Sequence, residues 1–343
     1  AASGFSDAVN FRNIIINGGM DLAQRSTSVS SLTSSDTYKT IDRYATELGS
    51  NGTWTQSQST DVPTGQGFAK SLKMDCTSTG SGGYLHITQR FEGRNLQYLN
   101  KGRSTAESLT LSFWVKSAKT GTYIAEFRDT DNTRNISKSY TISSADTWEK
   151  KTIVFPGDTS GGLSNDSGAS LELNLWLAAG SSNTSGTLQT SWASQVSANR
   201  AVGQVNLGDS TSNDWYITGL QLEAGTSASE FEFLPHAVNL RRCQRYFEIL
   251  QDVANSINKS FMGSSYSSTR NFLTILMNEP KRATPTIASS NVGGNVYQDG
   301  AGHSVSALAN IYTDISNVKL DFTASVTSGD AFHYDGGSSQ IIT

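Results

Sequence analysis

Apolar and polar side chains alternate along much of this chain, and Gly, Ser, Asn and Asp interrupt the alternation at close intervals. A period of two marks a half-buried strand, because successive side chains leave a strand on opposite faces. Ser108–Ser117 shows it most clearly. Leu109, Leu111, Phe113 and Val115 share one phase; Thr110, Ser112, Trp114 and Lys116 share the other. In Ser170–Ala178, Leu171, Leu173, Leu175 and Leu177 face a core while Glu172, Asn174 and Trp176 face away. Thr122–Arg128 sets Tyr123, Ala125 and Phe127 against Glu126 and Arg128. The same pattern predicts strands at Trp54–Ser59, Ala69–Cys76, Tyr84–Phe91, Ile136–Ile142, Glu149–Phe155 and Trp215–Glu223. Turns at Lys119–Gly121, Asp129–Asn132, Ser143–Asp146 and Gly157–Gly168 separate them. Many short strands joined this way predict an all-β fold, a sandwich or a barrel.

Helical signals are few. Gly93–Lys101 has room for a short helical turn. Ala237–Arg245 is the best helical segment, with Leu240 and Cys243 on one face and arginines on the other. Strand patterning closes before Pro235 and restarts at Tyr246–Leu250, Ser260–Ser267, Asn271–Met277 and Thr286–Ala288. The expected organisation is an N-terminal arm over 1–9, a large β domain over 10–236 and a smaller β-rich domain over 237–343. Ser26–Ser35 and Ser181–Thr190 are rich in Ser, Thr and Gly and read as long surface loops, since strands resume on either side.

Composition narrows the function classes. The apolar fraction is 36% and charged residues are only 16% of the 343. Roughly a quarter of the chain is Ser or Thr, well away from the Ala/Glu/Lys/Leu-rich usage of long helices. With 26 basic and 30 acidic residues the net charge is −4, without the basic balance of a nucleic-acid binder. Apolar runs such as Ile14–Ile16 and Leu175–Ala179 are far shorter than the roughly 20 residues of a membrane helix, so membrane insertion is not expected. The first residues lack a charged segment followed by an apolar stretch, so no secretory signal is read. Cys76 and Cys243 stand alone and read as buried thiols.

Catalytic signatures are sparse. There is no phosphate loop, dinucleotide fingerprint or nucleophile elbow, and His86, His236, His303 and His333 are dispersed, so no zinc motif can be drawn. Glycoside hydrolysis needs only two carboxylates that meet in space, and Glu126, Asp129 and Glu172 are the strand-borne candidates. Carboxylates on a strand face are more often solvated or ion-paired, so the chain is read as a non-enzyme. Asp129-Thr130-Asp131-Asn132 resembles part of a calcium loop but lacks its Gly and distal Glu. A turn held by Asx hydrogen bonds is the preferred reading, with a structural calcium ion as the alternative and no other cofactor.

The aromatic pattern carries more. Trp114 and Trp176 both stand opposite the apolar phase of their strands, so both are expected on a face turned away from the core. Two exposed indoles suit stacking on the C–H faces of sugars, with Asn174, Glu126, Arg128 and Gln89 bonding the hydroxyls. The alternative is that loops cover this face and bury both rings.

Several segments together resemble a known family. Asn13–Arg25 (NIIINGGMDLAQR) is similar to the opening of modules found in bacteriophage virion proteins, particularly tail-fibre proteins of marine phages. The resemblance continues through Asp42-Arg43-Tyr44, Leu109–Ser117 (LTLSFWVKS), Lys119–Tyr123 (KTGTY) and Trp148–Phe155. It extends to Trp215–Gly225 (WYITGLQLEAG), Arg242–Glu248 (RCQRYFE) and Pro280–Pro285 (PKRATP). It implies a carbohydrate-binding-like β-sandwich jelly roll followed by a small β module. It also implies a virion component, often a homotrimer, that meets other virion proteins and host cell-surface carbohydrate. It transfers no catalytic set to these positions. Tail fibres usually carry a virion anchor and a long shaft, whereas this chain begins almost at the jelly roll. A short appendage bound directly to the particle, or a piece of a longer fibre, is therefore expected. The readings that compete with host-glycan binding are a structural decoration protein of capsid or tail and a glycan-cleaving depolymerase.

Overall fold

The computed structural model describes residues 11–36 and 38–252, and beyond them 261–265, 267, 270–286, 288–290, 295–298, 301–304, 307–313, 316–323, 331–335 and 340–342. The expected arm over 1–9 lies outside the described residues. The chain divides into two units, residues 1–235 and 236–343.

Period-two alternation becomes strand throughout the first unit. Its strands are β1 (Ser28–Asp36), β2 (Ala45–Ser59), β3 (Ser71–Ser78), β4 (Tyr84–Glu92), β5 (Leu109–Ser117) and β6 (Gly121–Asp129). They continue as β7 (Arg134–Ile142), β8 (Glu149–Phe155), β9 (Ala169–Ala179), β10 (Ala193–Ser194) and β11 (Asp214–Ala224). The hydrogen-bonded order is β10-β7-β6-β9-β4-β2-β3-β11-β5-β8, with β1 added to β2 and every pairing antiparallel. The all-β class expected from the pattern, and the jelly roll that the resemblance implies, are what is observed.

One long strand joins the two halves of this path. Ala45–Gly49 of β2 pairs with β4, while Thr53–Ser59 pairs with β3. The chain bends between them at Ser50–Gly52, where Ser50 has φ 51° and Gly52 φ 71°. A Cβ at Gly52 would lie 2.1 Å from the Ser78 carbonyl oxygen, so the bend requires glycine there. The halves pack face to face. Phe127 of β6 meets Phe155 of β8 at 4.7 Å between ring centres, and Phe113 of β5 meets Tyr140 of β7 at 5.1 Å. The leucines of β9, Ile87, Met74, Trp54, Trp215 and Ile217 fill the same core.

Ser26–Ser35 differs from expectation. Most of it is β1, not a loop. Register shifts fall between Val29, Leu32, Ser34 and Asp36, and those bulges break the period of two that would have revealed a strand. Leu32 is nonetheless buried in the core. The segment 181–190 holds only a four-residue helix, α1 (Ser181–Thr184), and Gly93–Leu99 forms two short 3₁₀ turns.

The motif Asn13–Arg25 is framework. Asn13 Oδ1 accepts the amides of Ile15 (3.0 Å) and Leu222 (3.0 Å), and its Nδ2 donates to the Leu220 carbonyl at 3.2 Å. Asn17 bonds Leu22 and the Asp42 carbonyl. Gly18 lies so close to β11 that a Cβ would sit 2.1 Å from the Leu220 oxygen. The opening segment thus clamps β11 where its pairing with β5 shifts register, between Thr218 and Gln221. Asp42 receives Gln24, and the Arg43 guanidinium donates to the Arg90 carbonyl.

The second unit starts with α2 (His236–Gln244). One of its sheets runs in the order β12 (Ile249–Asp252), β21 (Gln340–Ile342), β15 (Ala288–Ser290). The other joins β17 (Ala301–Ser304), β16 (Asn295–Gln298), β20 (Ala331–Asp335), β13 (Phe261–Ser265), β14 (Asn271–Leu276), β19 (Asn317–Thr323) and β18 (Ala307–Thr313). The strand expected to start at Tyr246 starts at Ile249, because a turn closes α2 first. The two sequence segments RCQRYFE and PKRATP interlock here. Lys281 Nζ donates to the Gln244 carbonyl at 2.7 Å and pairs with the buried Glu248 at 3.0 Å, while the Arg282 amide donates to the Arg245 carbonyl at 3.0 Å. Cys76 and Cys243 are buried thiols that are not joined in a disulfide.

Replacing Asn13 by Ala strands two buried amides. The expected loss is about 2–4 kcal/mol in the stability of the first unit, since each unpaired buried group costs on the order of 1–3 kcal/mol. Denaturant unfolding followed by tryptophan fluorescence measures it.

Candidate functional site

The outward phase of four adjacent strands builds a polar face. Antiparallel register aligns it in three rows: Glu47–His86–Trp176, Thr88–Asn174–Glu126 and Arg90–Glu172–Arg128. After β9 the chain turns at Gly180 and returns over the end of this face, bringing Asn183 of α1 and Arg200 to it. Together with Tyr84 these side chains, apart from the buried Glu126, line a groove of about 250 Å³.

Glu126 organises the groove. It is fully buried (0% exposed) and accepts five hydrogen bonds. Arg200 supplies two of them, at 2.8 and 2.9 Å, in bidentate geometry. Asn135 Nδ2 (3.0 Å), Asn174 Nδ2 (3.2 Å) and Trp176 Nε1 (3.0 Å) supply the others. Because a carboxylate only accepts, Asn174 must present its amide nitrogen to Glu126 and its Oδ1 to Thr88. The Thr88 hydroxyl therefore donates to Asn174 Oδ1 (2.7 Å) and accepts from His86 Nδ1 (2.9 Å). His86 is thereby fixed as the Nδ1–H tautomer, and its Nε2 is left as an acceptor. Burial, reinforced by the charges of Arg200, Arg90 and Arg128, holds the imidazole well below its usual pKa, so it is neutral.

A second ion-paired row closes one side. Arg90 donates to Glu172 (2.9 Å) and Glu47 (2.8 Å); Arg128 donates to Glu172 (3.2 Å) and Gln195 (2.7 Å). Three guanidiniums thus face three carboxylates.

Of the residues singled out in the sequence, Trp176, Asn174, Glu126 and Arg128 are gathered around this groove. Two are not. Gln89 belongs to the inward phase of β4, with Ile87 and Phe91, and its amide bonds the backbone of Ile16 at 2.8 and 3.0 Å. Trp114 lies on β5, in the other half of the sandwich, opposite Thr218 and Lys150. For Trp176 the reading that holds is burial under a loop, not an open platform. At 1% exposure it packs with Ile124, Ala201 and Leu188, and the Arg200 guanidinium lies 4.9 Å from its ring centre. The sequence reading missed Tyr84, His86, Thr88 and Arg90, although their alternation with Leu85, Ile87 and Phe91 marks them as one face. It also missed Glu47, Asn183 and Arg200. Glu172 entered only as a possible hydrolytic partner.

The Asp129–Asn132 turn is held by its own side chains and by a lysine. Asp129 accepts the Asn132 amide (3.0 Å) and Asn132 Nδ2 (2.9 Å), and the buried Lys101 ammonium donates to it. Lys101 also bonds the Gly161 carbonyl (2.7 Å) and pairs with Asp158 (3.0 Å). Among the described residues no cluster of three His, Cys, Asp or Glu side chains is placed to hold a metal ion.

His86 makes stability depend on pH. Its native pKa lies below the unfolded value near 6.5, so the unfolded chain takes up a proton that the native one refuses. Stability is full above that value and falls as the pH drops. The expected loss from His86 is roughly 1 kcal/mol between pH 6.5 and 5.5. Denaturant midpoints at the two pH values should show it, and His86→Gln should shrink the difference.

No family model and no curated protein matches the chain. Among solved structures, the enzymatically active domain of tailspike protein 4 of bacteriophage CBA120 is similar at 16% identity, with a TM-score of 0.34 over 62% of this chain and 21% of that one. The chain thus spans about a fifth of that tailspike. A putative sugar binding protein from Bacteroides thetaiotaomicron is similar at 14% identity and a TM-score of 0.34, over 62% of this chain and 99% of that one. A CBM4 carbohydrate-binding module is similar at 11% identity and a TM-score of 0.32, over 61% and 97%.

Proposed function

We propose that the groove binds carbohydrate and that the chain is a phage virion protein of the tail-fibre type, meeting glycan on the host surface. The observation that carries the binding reading is a set of oriented but unsatisfied polar groups in one concavity. His86 Nε2, Arg128 Nη2, Arg200 Nη1 and the Asn183 side-chain amide have no hydrogen-bond partner among the described residues, although His86 and Asn183 are only 7% and 9% exposed. None of these atoms is sealed from solvent; they open into the groove, where a polar ligand can take the place of water. Tyr84, half-buried at the rim and stacked on His86 at 5.7 Å, is the aromatic side chain of the lining that keeps some exposure, whereas Trp176 is covered.

Binding is favoured over cleavage. Glu47 and Glu172, which line the groove, and Glu126, buried behind it, are each held by guanidiniums, and Glu126 has no oxygen turned to a ligand. The virion assignment is supported by the ordered resemblance of Asn13–Arg25, Leu109–Ser117, Trp215–Gly225, Arg242–Glu248 and Pro280–Pro285 to tail-fibre modules. The same resemblance supports a homotrimer that contacts other virion proteins.

A glycan array probed with the purified protein tests the site. Asn183→Ala and Tyr84→Ala are each expected to weaken bound glycan at least about tenfold, since ring stacking contributes on the order of 1–3 kcal/mol. Binding unchanged in both variants places the site elsewhere. Light scattering is expected to give three chains per particle, and a monomer at micromolar concentration removes the trimer.

A further inference from the structure

This inference rests on the groove being the glycan site and names the class of sugar it takes. The unsatisfied groups are of mixed polarity. Arg128 Nη2, Arg200 Nη1 and the Asn183 amide nitrogen donate. His86 Nε2, the Glu47 oxygen not bound to Arg90 and Asn183 Oδ1 accept. A ligand carboxylate or sulfate only accepts, and would leave His86 Nε2 and Glu47 facing lone pairs. An ammonium only donates, and would leave the guanidiniums unmatched. A hydroxyl does both.

Charge points the same way. Arg200 is neutralised by Glu126, and Arg90 and Arg128 share Glu172 and Glu47. Among the described residues that line the groove no guanidinium is left to balance an incoming anion; Glu172 stands between Arg90 and Arg128, and Glu47 stands in the row of His86 and Trp176. An unpaired charge brought into such a concavity loses its hydration without compensation. We propose that the groove selects uncharged, hydroxyl-rich sugars and discriminates against uronic-acid and sulfated counterparts, and that the ion-paired network of Glu47, Arg90, Glu172 and Arg128 sets this preference.

The test compares neutral hexose oligosaccharides with uronic-acid oligosaccharides of the same linkage and length. Calorimetry is run on the full chain, on Asn183→Ala and on Glu47→Gln. Wild-type protein is expected to bind the neutral member at least about tenfold more tightly. Glu47→Gln leaves one guanidinium charge uncompensated, and the neutral-to-uronate affinity ratio is expected to fall by roughly tenfold. Uronate binding equal to or tighter than neutral binding, with both weakened by Asn183→Ala, overturns the selectivity while leaving the groove as the glycan site. An unchanged ratio in Glu47→Gln overturns the role of the charged network. Absence of binding to every sugar, or binding that Asn183→Ala does not touch, overturns the glycan reading of the groove and this inference with it.

Discussion

A single buried carboxylate sets the geometry of the groove. An isolated charge with the burial of Glu126 would be strongly unfavourable, and the chain meets that constraint with five donors from four side chains. Each donor is thereby fixed in turn. Arg200 is drawn from the returning loop onto the sheet, where it also covers Trp176. Asn174 loses its freedom to flip, which orders Thr88, which chooses the tautomer of His86. Groups that never touch Glu126 are oriented by it through a chain of hydrogen bonds. Removing Arg200 alone would leave the carboxylate charged and uncompensated, a larger perturbation than removing any one donor amide.

The segments by which the sequence is recognisable and the segments that form the groove are mostly different. Asn13, Asn17 and Gly18 hold the bulge of β11, and Asp42 and Arg43 anchor the approach to β2. RCQRYFE and PKRATP interlock through Lys281 and Glu248 in the second unit. These are solutions to backbone problems: a sharp turn, a bulge, a buried ion pair. None requires a particular ligand. The groove is built on β2, β4, β6 and β9 and on the loop after β9, where side chains on the outward phase can change without disturbing the core. Resemblance therefore speaks to scaffold and setting, while the ligand must be argued from the groove itself.

Parity made much of the face legible. In β9 and β6 the apolar phase is continuous, so Trp176, Asn174, Glu126 and Arg128 could be assigned to one side of the sheet from sequence. Gln89 was misplaced because its polarity outweighed its phase; Leu85, Ile87 and Phe91 put it inside, where it bonds the backbone of Ile16. Trp114 has the outward phase too, but parity gives a side and not a sheet, and strand order puts β5 away from β9. β1 was hidden by its bulges. Asn183 and Arg200 come from a stretch of Ser, Gly and Asn without period, and only the return of that loop across β6 and β9 makes them part of the groove. The burial of Trp176 was one of two readings the sequence left open, and the same loop decides between them.

The size and chemistry of the groove also bound its affinity. A cavity of about 250 Å³ holds little more than one sugar ring with part of a second. A hydrogen bond exchanged with water contributes only about 1 kcal/mol net, and the compensated charges add no long-range attraction. Four or five such bonds with one aromatic face reach roughly 4–6 kcal/mol, which corresponds to dissociation constants from about a millimolar down to tens of micromolar. Attachment through one groove would then be brief. A protein that must hold a surface by such contacts gains more from presenting several grooves at once than from tightening any one of them, because each further contact becomes intramolecular at an effective concentration set by the spacing of the copies. The proposed homotrimer and the proposed virion setting, in which many copies share one particle, are the arrangement that a weak, rigid, charge-compensated groove requires in order to act as an adhesin.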